Sequence, residues 1–209
     1  MDIKYELTQE TITIDNHTLH RIRALRSFAN VGRGELGGFI ESESNLDHEG
    51  ECWVGDTGCV FGNAWICEHA EVSGNARVFG HAQVYGYAMV SETAWICEHA
   101  RVFGHAQVFG AARVSETAWI SGNAEILDTA EIYGDASVGT DAKISGNAKI
   151  YGDAHISGIV AVSGDACVCV DIVMVTNIKL DRGIWIKRLK TPNHSYIIIS
   201  TTLQKILLR

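Results

Sequence analysis

The sequence predicts an all-β protein built as a parallel β-helix, and three observations carry that prediction. Alanine returns every sixth residue from Ala64 to Ala154, Val160 takes the next place, and Ala166 resumes the series. Val or Ile stands two residues after each of these places, and with Val60 ahead of them there are nineteen branched residues at sixfold spacing from Val60 to Val168. Between them falls Gly, or in places Glu, Asp or Thr, most often followed by Asn, Asp, His or Thr. A helix cannot use this pattern, because sixfold spacing walks the apolar residues around a cylinder of about 3.6 residues per turn. Short strands joined by tight corners can use it. The branched residue points inward, its two neighbours point outward, Ala fills the corner, and Gly followed by a small polar residue supplies the turn.

Residues 1–53 read as an N-terminal cap. "TITID" and "TLHRIRAL" predict a hairpin with its turn at Asn16–His17, the Gly-rich "GRGELGG" follows, and Ile40 and Leu46 mark a first irregular coil. The regular solenoid is expected over 54–170. Residues 171–209 read as a C-terminal cap of strands "VMVTNIKL", "GIWIKRL" and "SYIIIS", followed by a short amphipathic helix in "TTLQKILLR". Such caps have a physical task, since an open β-helix exposes unpaired backbone and core at each end.

Composition narrows the class. A 209-residue chain that is 46% hydrophobic can bury one continuous core. The opening "MDIKYELTQE" has neither a basic start nor an apolar run, so no signal peptide is expected, and no stretch reaches membrane-spanning length. Cys67 and Cys97 occupy equivalent places without partners, and Cys167 and Cys169 flank an inward Val, which points to cytosolic thiols rather than a disulfide framework or zinc site. A cytoplasmic protein with no cofactor is the expectation. Residues 1–53 carry ten acids against five bases, residues 54–170 thirteen against five, and the tail two against seven, for a net charge of −8. An acidic body disfavours nucleic acid as a partner and permits mimicry of it.

The hexads resemble the left-handed β-helix of the hexapeptide acyltransferase superfamily. "KYELT" at Lys4, "HRIRAL" from His20, "ELGGFIESESNL" from Glu35 and "HEGECWV" from His48 resemble the YdcK-like proteins, bacterial and prophage hexapeptide-repeat proteins often labelled acyltransferases. The likeness runs from about Lys4 to Val168. It implies a single-stranded left-handed parallel β-helix with three hexads per coil and small β end pieces. Gly falls two places after the branched residue here, one place later than is usual in the acyltransferase pattern.

With three hexads per coil, a residue meets its stacked equivalent eighteen positions on. "AWICEHA" occurs at Ala64–Ala70 and again at Ala94–Ala100, five hexads apart, so the two copies belong on different faces and are copied tiles rather than a duplicated active site. Face one carries Phe61, Phe79, Trp95, Tyr133 and Tyr151 and is the expected interface. Face two carries Trp65, Tyr85, Phe103 and Trp119 and is a secondary surface. Face three is the least aromatic.

Chemistry is thin on this pattern. His81 and His99 should stack at one corner, without a carboxylate to complete a metal set. Asp135, Asp153 and Asp171 form a ladder that could hold a hard cation, although corner Asp is ordinary turn chemistry. The resemblance implies acyl transfer with a His base in a cleft between subunits, for which His69, His81, His99 and His105 are candidates. The unbroken hexad register from 54 to 170 leaves no loop to wall a pocket, and no phosphate cradle or nucleophile elbow is present. The expectation is therefore a non-enzymatic, homo-oligomeric or partner-binding module. One form of it is a phage-borne protein that occupies a host defence protein. A CoA-dependent acyltransferase and a purely structural scaffold are the alternatives.

Overall fold

The computed structural model describes residues 3–169 and, beyond them, the backbone of four strands, Ile172–Leu180, Ile184–Thr191, His194–Thr201 and Gln204–Leu207. The chain is a parallel β-solenoid. Every hexad from Val60 to Ile150 contributes a two-residue strand that ends in its branched residue. These branched side chains and the corner alanines are buried together as one continuous core. Each strand pairs with the strand eighteen residues on, as Cys59 does with Arg77, Trp65 with Gln83 and Met89 with Gln107. Three parallel faces result, and the geometry fits the expected left-handed β-helix.

The corners explain why the hexad tolerates acids where Gly is the rule. The residue there has a left-handed backbone, with φ of 60° at Glu68 and 58° at Glu98. A side chain at this conformation costs roughly 1–2 kcal/mol. The acid offsets that cost by reaching one coil onward to a backbone N–H. Glu68 accepts from Gly86 N–H at 2.8 Å, Glu92 from Gly110 at 3.0 Å and Glu98 from Glu116 at 2.7 Å. A charge-assisted hydrogen bond of this kind is stronger than a neutral one.

The N-terminal cap is a hairpin of β1 (Tyr5–Ile14) and β2 (His17–Ala24), with β3 (Leu36–Ile40) beside it. Its turn is Asp15–Asn16, both at positive φ, one residue earlier than the expected Asn16–His17. Two positive-φ residues make the tight hairpin connection whose twist matches the strands. β3 then stacks in parallel on the first hexad strand of face one, Ile40 against Val60. Gly38 permits this approach, because a Cβ there would lie 2.4 Å from the Gly58 carbonyl oxygen, just before that strand.

Leu46 bridges Ile66, and the spacing of this first coil is irregular in an informative way. Ile40 and Leu46 each stand twenty residues before their partners, whereas Val54 stands eighteen before Val72. Two extra residues therefore sit between Leu46 and Val54, in the corner that joins faces two and three. Gly50 is held there at φ 64°, where a Cβ would meet the Glu68 carbonyl oxygen at 2.2 Å.

Near the other end, the strand His155–Val162 runs straight across the same corner, pairing with Ser137 on face two and Lys143 on face three. The hexad register survives, with Ile156 and Val162 both inward and Val160 buried where the other corners carry Ala. The terminal segment expected as a helix is instead the strand Gln204–Leu207, antiparallel to His194–Thr201. The free edge of the preceding strand offers backbone partners that a lone two-turn helix would lack.

Candidate functional site

The two "AWICEHA" tiles separate as the eighteen-residue arithmetic requires. Trp65 lies on face two and is 40% exposed, while Trp95 lies half-buried on face one between the guanidinium groups of Arg77 and Arg113. Burial pushes the Cys67 thiol up to about 12 and the Cys97 thiol to about 11, with Glu68 and Glu98 adding to it, so neither is a thiolate at neutral pH. Both glutamates are spent on corner N–H groups. His69 stacks on Tyr87, and His99 on His81 at another corner. The tiles share letters and no common site.

Face one departs from its expectation at one residue. Phe61 is only 3% exposed, because the cap hairpin covers it: Ile12, Ile14 and Leu19 pack with Phe39, Cys59 and Phe61, and Phe79 lies against the group. Hairpin strands need an apolar surface to be stable, and this one uses the start of face one. The remaining rings fall into two groups. Phe79 meets Trp95 edge-on at 6.1 Å, and Tyr133 stacks on Tyr151 at 5.4 Å, with Arg113 and Ser115 in the coil between. Charges interrupt the face further, including the Lys149–Glu131 pair at 2.8 Å.

Face two is different. Tyr85 stacks on Phe103 at 5.0 Å, Phe103 meets Trp119 edge-on at 6.3 Å, and Trp119 is 46% exposed. Arg101, its guanidinium 5.2 Å above the Trp119 ring, is the one formal charge among the outward strand residues from Trp65 to Ser121.

The corner beside face two holds a ring column that the sequence reading did not assemble. His69, Tyr87 and His105 stack at 4.6 and 5.0 Å, their planes within 3° of parallel. Tyr87 was missed although it lies eighteen residues from each histidine. Below the column, Glu51 Oε2 approaches His69 Nδ1 at 3.4 Å. The two-residue insertion puts Glu51 there, and it supplies the wall that an uninterrupted hexad run would lack. A groove of about 460 Å³ opens between this wall, the cap residues 29–31, and Glu35, Leu36, Trp53, Asp56 and Glu71. A second hollow of about 390 Å³ lies across His69, lined by Asp47, Glu49 and Glu68.

The other candidates stay apart from this groove. His81 and His99 stack at 4.8 Å, one strand spacing, and both are exposed. Asp135 accepts a hydrogen bond from Thr117 Oγ1, Asp153 is exposed, and Asp171 lies outside the described residues. Among the described residues no three His, Cys, Asp or Glu side chains gather as metal ligands would, and no helix is long and apolar enough to cross a membrane.

The segments that carry the family resemblance meet in a buried joint between cap and coil. Lys4 Nζ donates to the Cys52 carbonyl oxygen at 2.9 Å, Tyr5 donates its hydroxyl to the Leu46 carbonyl at 2.6 Å, and the Tyr5 ring stacks on His48 at 4.3 Å. Asn45 Nδ2 donates to the Ala64 carbonyl at 2.9 Å. These residues fasten the cap and face no groove.

No family model matches the chain. Over 67 residues, 32% of its length, the chain is 37% identical to a protein of Escherichia coli (strain K12) described as "Uncharacterized acetyltransferase YdcK". The match spans 21% of that relative, so the chain is a hexapeptide-repeat β-solenoid similar over part of its length to a YdcK protein.

Proposed function

We propose that this protein is a binding module whose face two docks on a protein surface, either a second copy of the chain or a partner from a bacterial or phage setting. One observation carries the reading: in a chain of net charge −8, the outward strand residues of this face from Trp65 to Ser121 carry no acid and present two exposed tryptophans. Contiguous apolar surface on a flat sheet marks interaction sites, and Trp, Tyr and Arg dominate interface energetics. Trp65 and Trp119 stand three coil spacings apart, about 14 Å at one strand spacing per coil. The test replaces both by Glu and measures molar mass by light scattering and retention of the bound partner. Loss of association with an unchanged unfolding midpoint supports the reading. An unchanged mass and unchanged partner binding overturn it, with Phe79 and Trp95 changed in parallel to score face one.

A second reading is favoured by a specific contact. The Glu51 carboxylate lies 3.4 Å from His69 Nδ1, a carboxylate–imidazole pairing of the kind that general-base acyl transfer uses, and the relative is described as an acetyltransferase. This contact favours His69 over His81, His99 and His105. Thiol release from acetyl-CoA that is abolished by His69→Gln would establish it, and turnover surviving that change would remove it.

A further inference from the structure

The groove beside His69 differs from the rest of the acidic surface in both shape and unmet charge. Its floor is apolar and aromatic, with Trp53 and Val31 buried at the bottom and the Tyr87 ring standing 54% exposed at the side. Four carboxylates line it, Glu35, Glu51, Asp56 and Glu71. Elsewhere the solenoid's strand acids find lysines, as Glu125 does in Lys143 and Glu131 in Lys149. Here none of the four has a Lys or Arg partner among the described residues. Of the two bases in the lining, His69 lies 3.4 Å from Glu51, and Arg21 is already committed: its Nη1 donates to Glu10 at 3.0 Å and its Nε to the Gly37 carbonyl at 3.1 Å. Glu35 and Asp56 each accept one backbone N–H, from Gly32 at 2.8 Å and Gly74 at 3.1 Å, which leaves their second oxygens available.

Like charges held around a concave surface repel one another and attract a counter-ion more strongly than the same charges on a flat one. An aromatic floor and wall beneath them add attraction for an ammonium group and a surface for an alkyl stem. Hard metal cations would need converging oxygens, which this open lining does not provide. We infer that the groove binds a small aliphatic polyamine, with its ammonium groups on the carboxylates and its methylene stem along Trp53 and Tyr87. The inference rests neither on face two as a docking surface nor on acyl transfer.

The experiment is calorimetric titration of the intact chain with spermidine at low ionic strength. Saturable binding of one equivalent is expected. The double substitution Glu51→Gln with Glu71→Gln should weaken it roughly 2- to 30-fold, the loss of two exposed ion pairs. Glu125→Gln with Glu131→Gln removes as much charge from paired acids outside the groove and should leave the affinity unchanged. Tyr87→Ser, at a site 54% exposed, should also weaken binding and keeps the test open if the glutamine pair unfolds. Triethylene glycol, of similar reach and without charge, should not bind. Absence of saturable binding, equal weakening by the control pair, or binding indifferent to both Tyr87→Ser and the groove pair overturns the proposal.

Discussion

Tyr5 fills the joint between cap and coil with a ring that has no exposure and a hydroxyl that donates to the Leu46 carbonyl. Burial pushes its phenol up, with Glu43 adding to it, so the donor stays protonated wherever the protein is folded. Tyr5→Phe keeps the ring and leaves that carbonyl without its partner, for an expected loss of about 1–3 kcal/mol in chemical denaturation. His81→Ala, at an exposed corner, should stay within about 0.5 kcal/mol by the same measurement. Glu41 gives the pH dependence. Its Oε1 bonds His17 Nδ1 at 2.8 Å and its Oε2 accepts Gly62 N–H at 2.7 Å, tying the hairpin tip to the first coil. The His17 hydrogen bond, more than the backbone one, holds the carboxyl below its ordinary 4.5. A lowered folded value means the stabilisation is present above 4.5 and is lost as pH falls through the lower folded value. The gap in denaturation midpoint between the parent and Glu41→Gln should therefore be widest at neutral pH and should close in acid.

A single hexad strand is two residues long, so its inward side chain decides its stability. Ile132 is fully buried between Val114 and Ile150 on face one. Ile132→Asp places an unpaired charge in that stack, and denaturation should show a loss on the order of 3–5 kcal/mol or an unfolded chain. Unfolding like the parent's would mean that the branched residues do not point inward. This wall was legible from sequence because volume and turn geometry constrain every sixth position in the same way. The same arithmetic separated the two "AWICEHA" tiles. It also contained the groove in outline: branched residues at 40, 46 and 54 are spaced by six and then by eight, and the extra two residues are the corner that carries Glu51. Counting from Val54 onward hides that irregularity. Covering of Phe61 by the hairpin was not legible, because alternation in β1 and β2 marks an apolar side without naming what it meets. The terminal strand was missed for a related reason. "TTLQKILLR" has a helical pattern, and the pairing that overrides it comes from a strand edge built elsewhere in the chain.

Across the whole molecule, the aromatic side chains concentrate in the coils nearest the N-terminal cap, and there the two proposed surfaces lie side by side but differ in physical character. Face two is apolar with a single cation, while the groove around the corner is acidic. Salt should therefore separate them. Raising ionic strength from about 0.05 M to about 0.5 M shortens the screening length from roughly 14 Å to roughly 4 Å. Exposed carboxylate–ammonium attraction then fades, so spermidine affinity should fall several-fold. Burial of tryptophan and tyrosine against another surface is driven by exclusion from water, which added salt does not weaken. Association through face two should thus persist or tighten over the same range, read as molar mass by light scattering or as partner retained on a column. An association that dissolves in salt together with spermidine binding would mean that both run through the acidic groove, and that Trp65 and Trp119 are incidental to it. Association that resists salt and is lost in the Trp65 and Trp119 double variant, with spermidine binding intact, would assign each surface its own ligand.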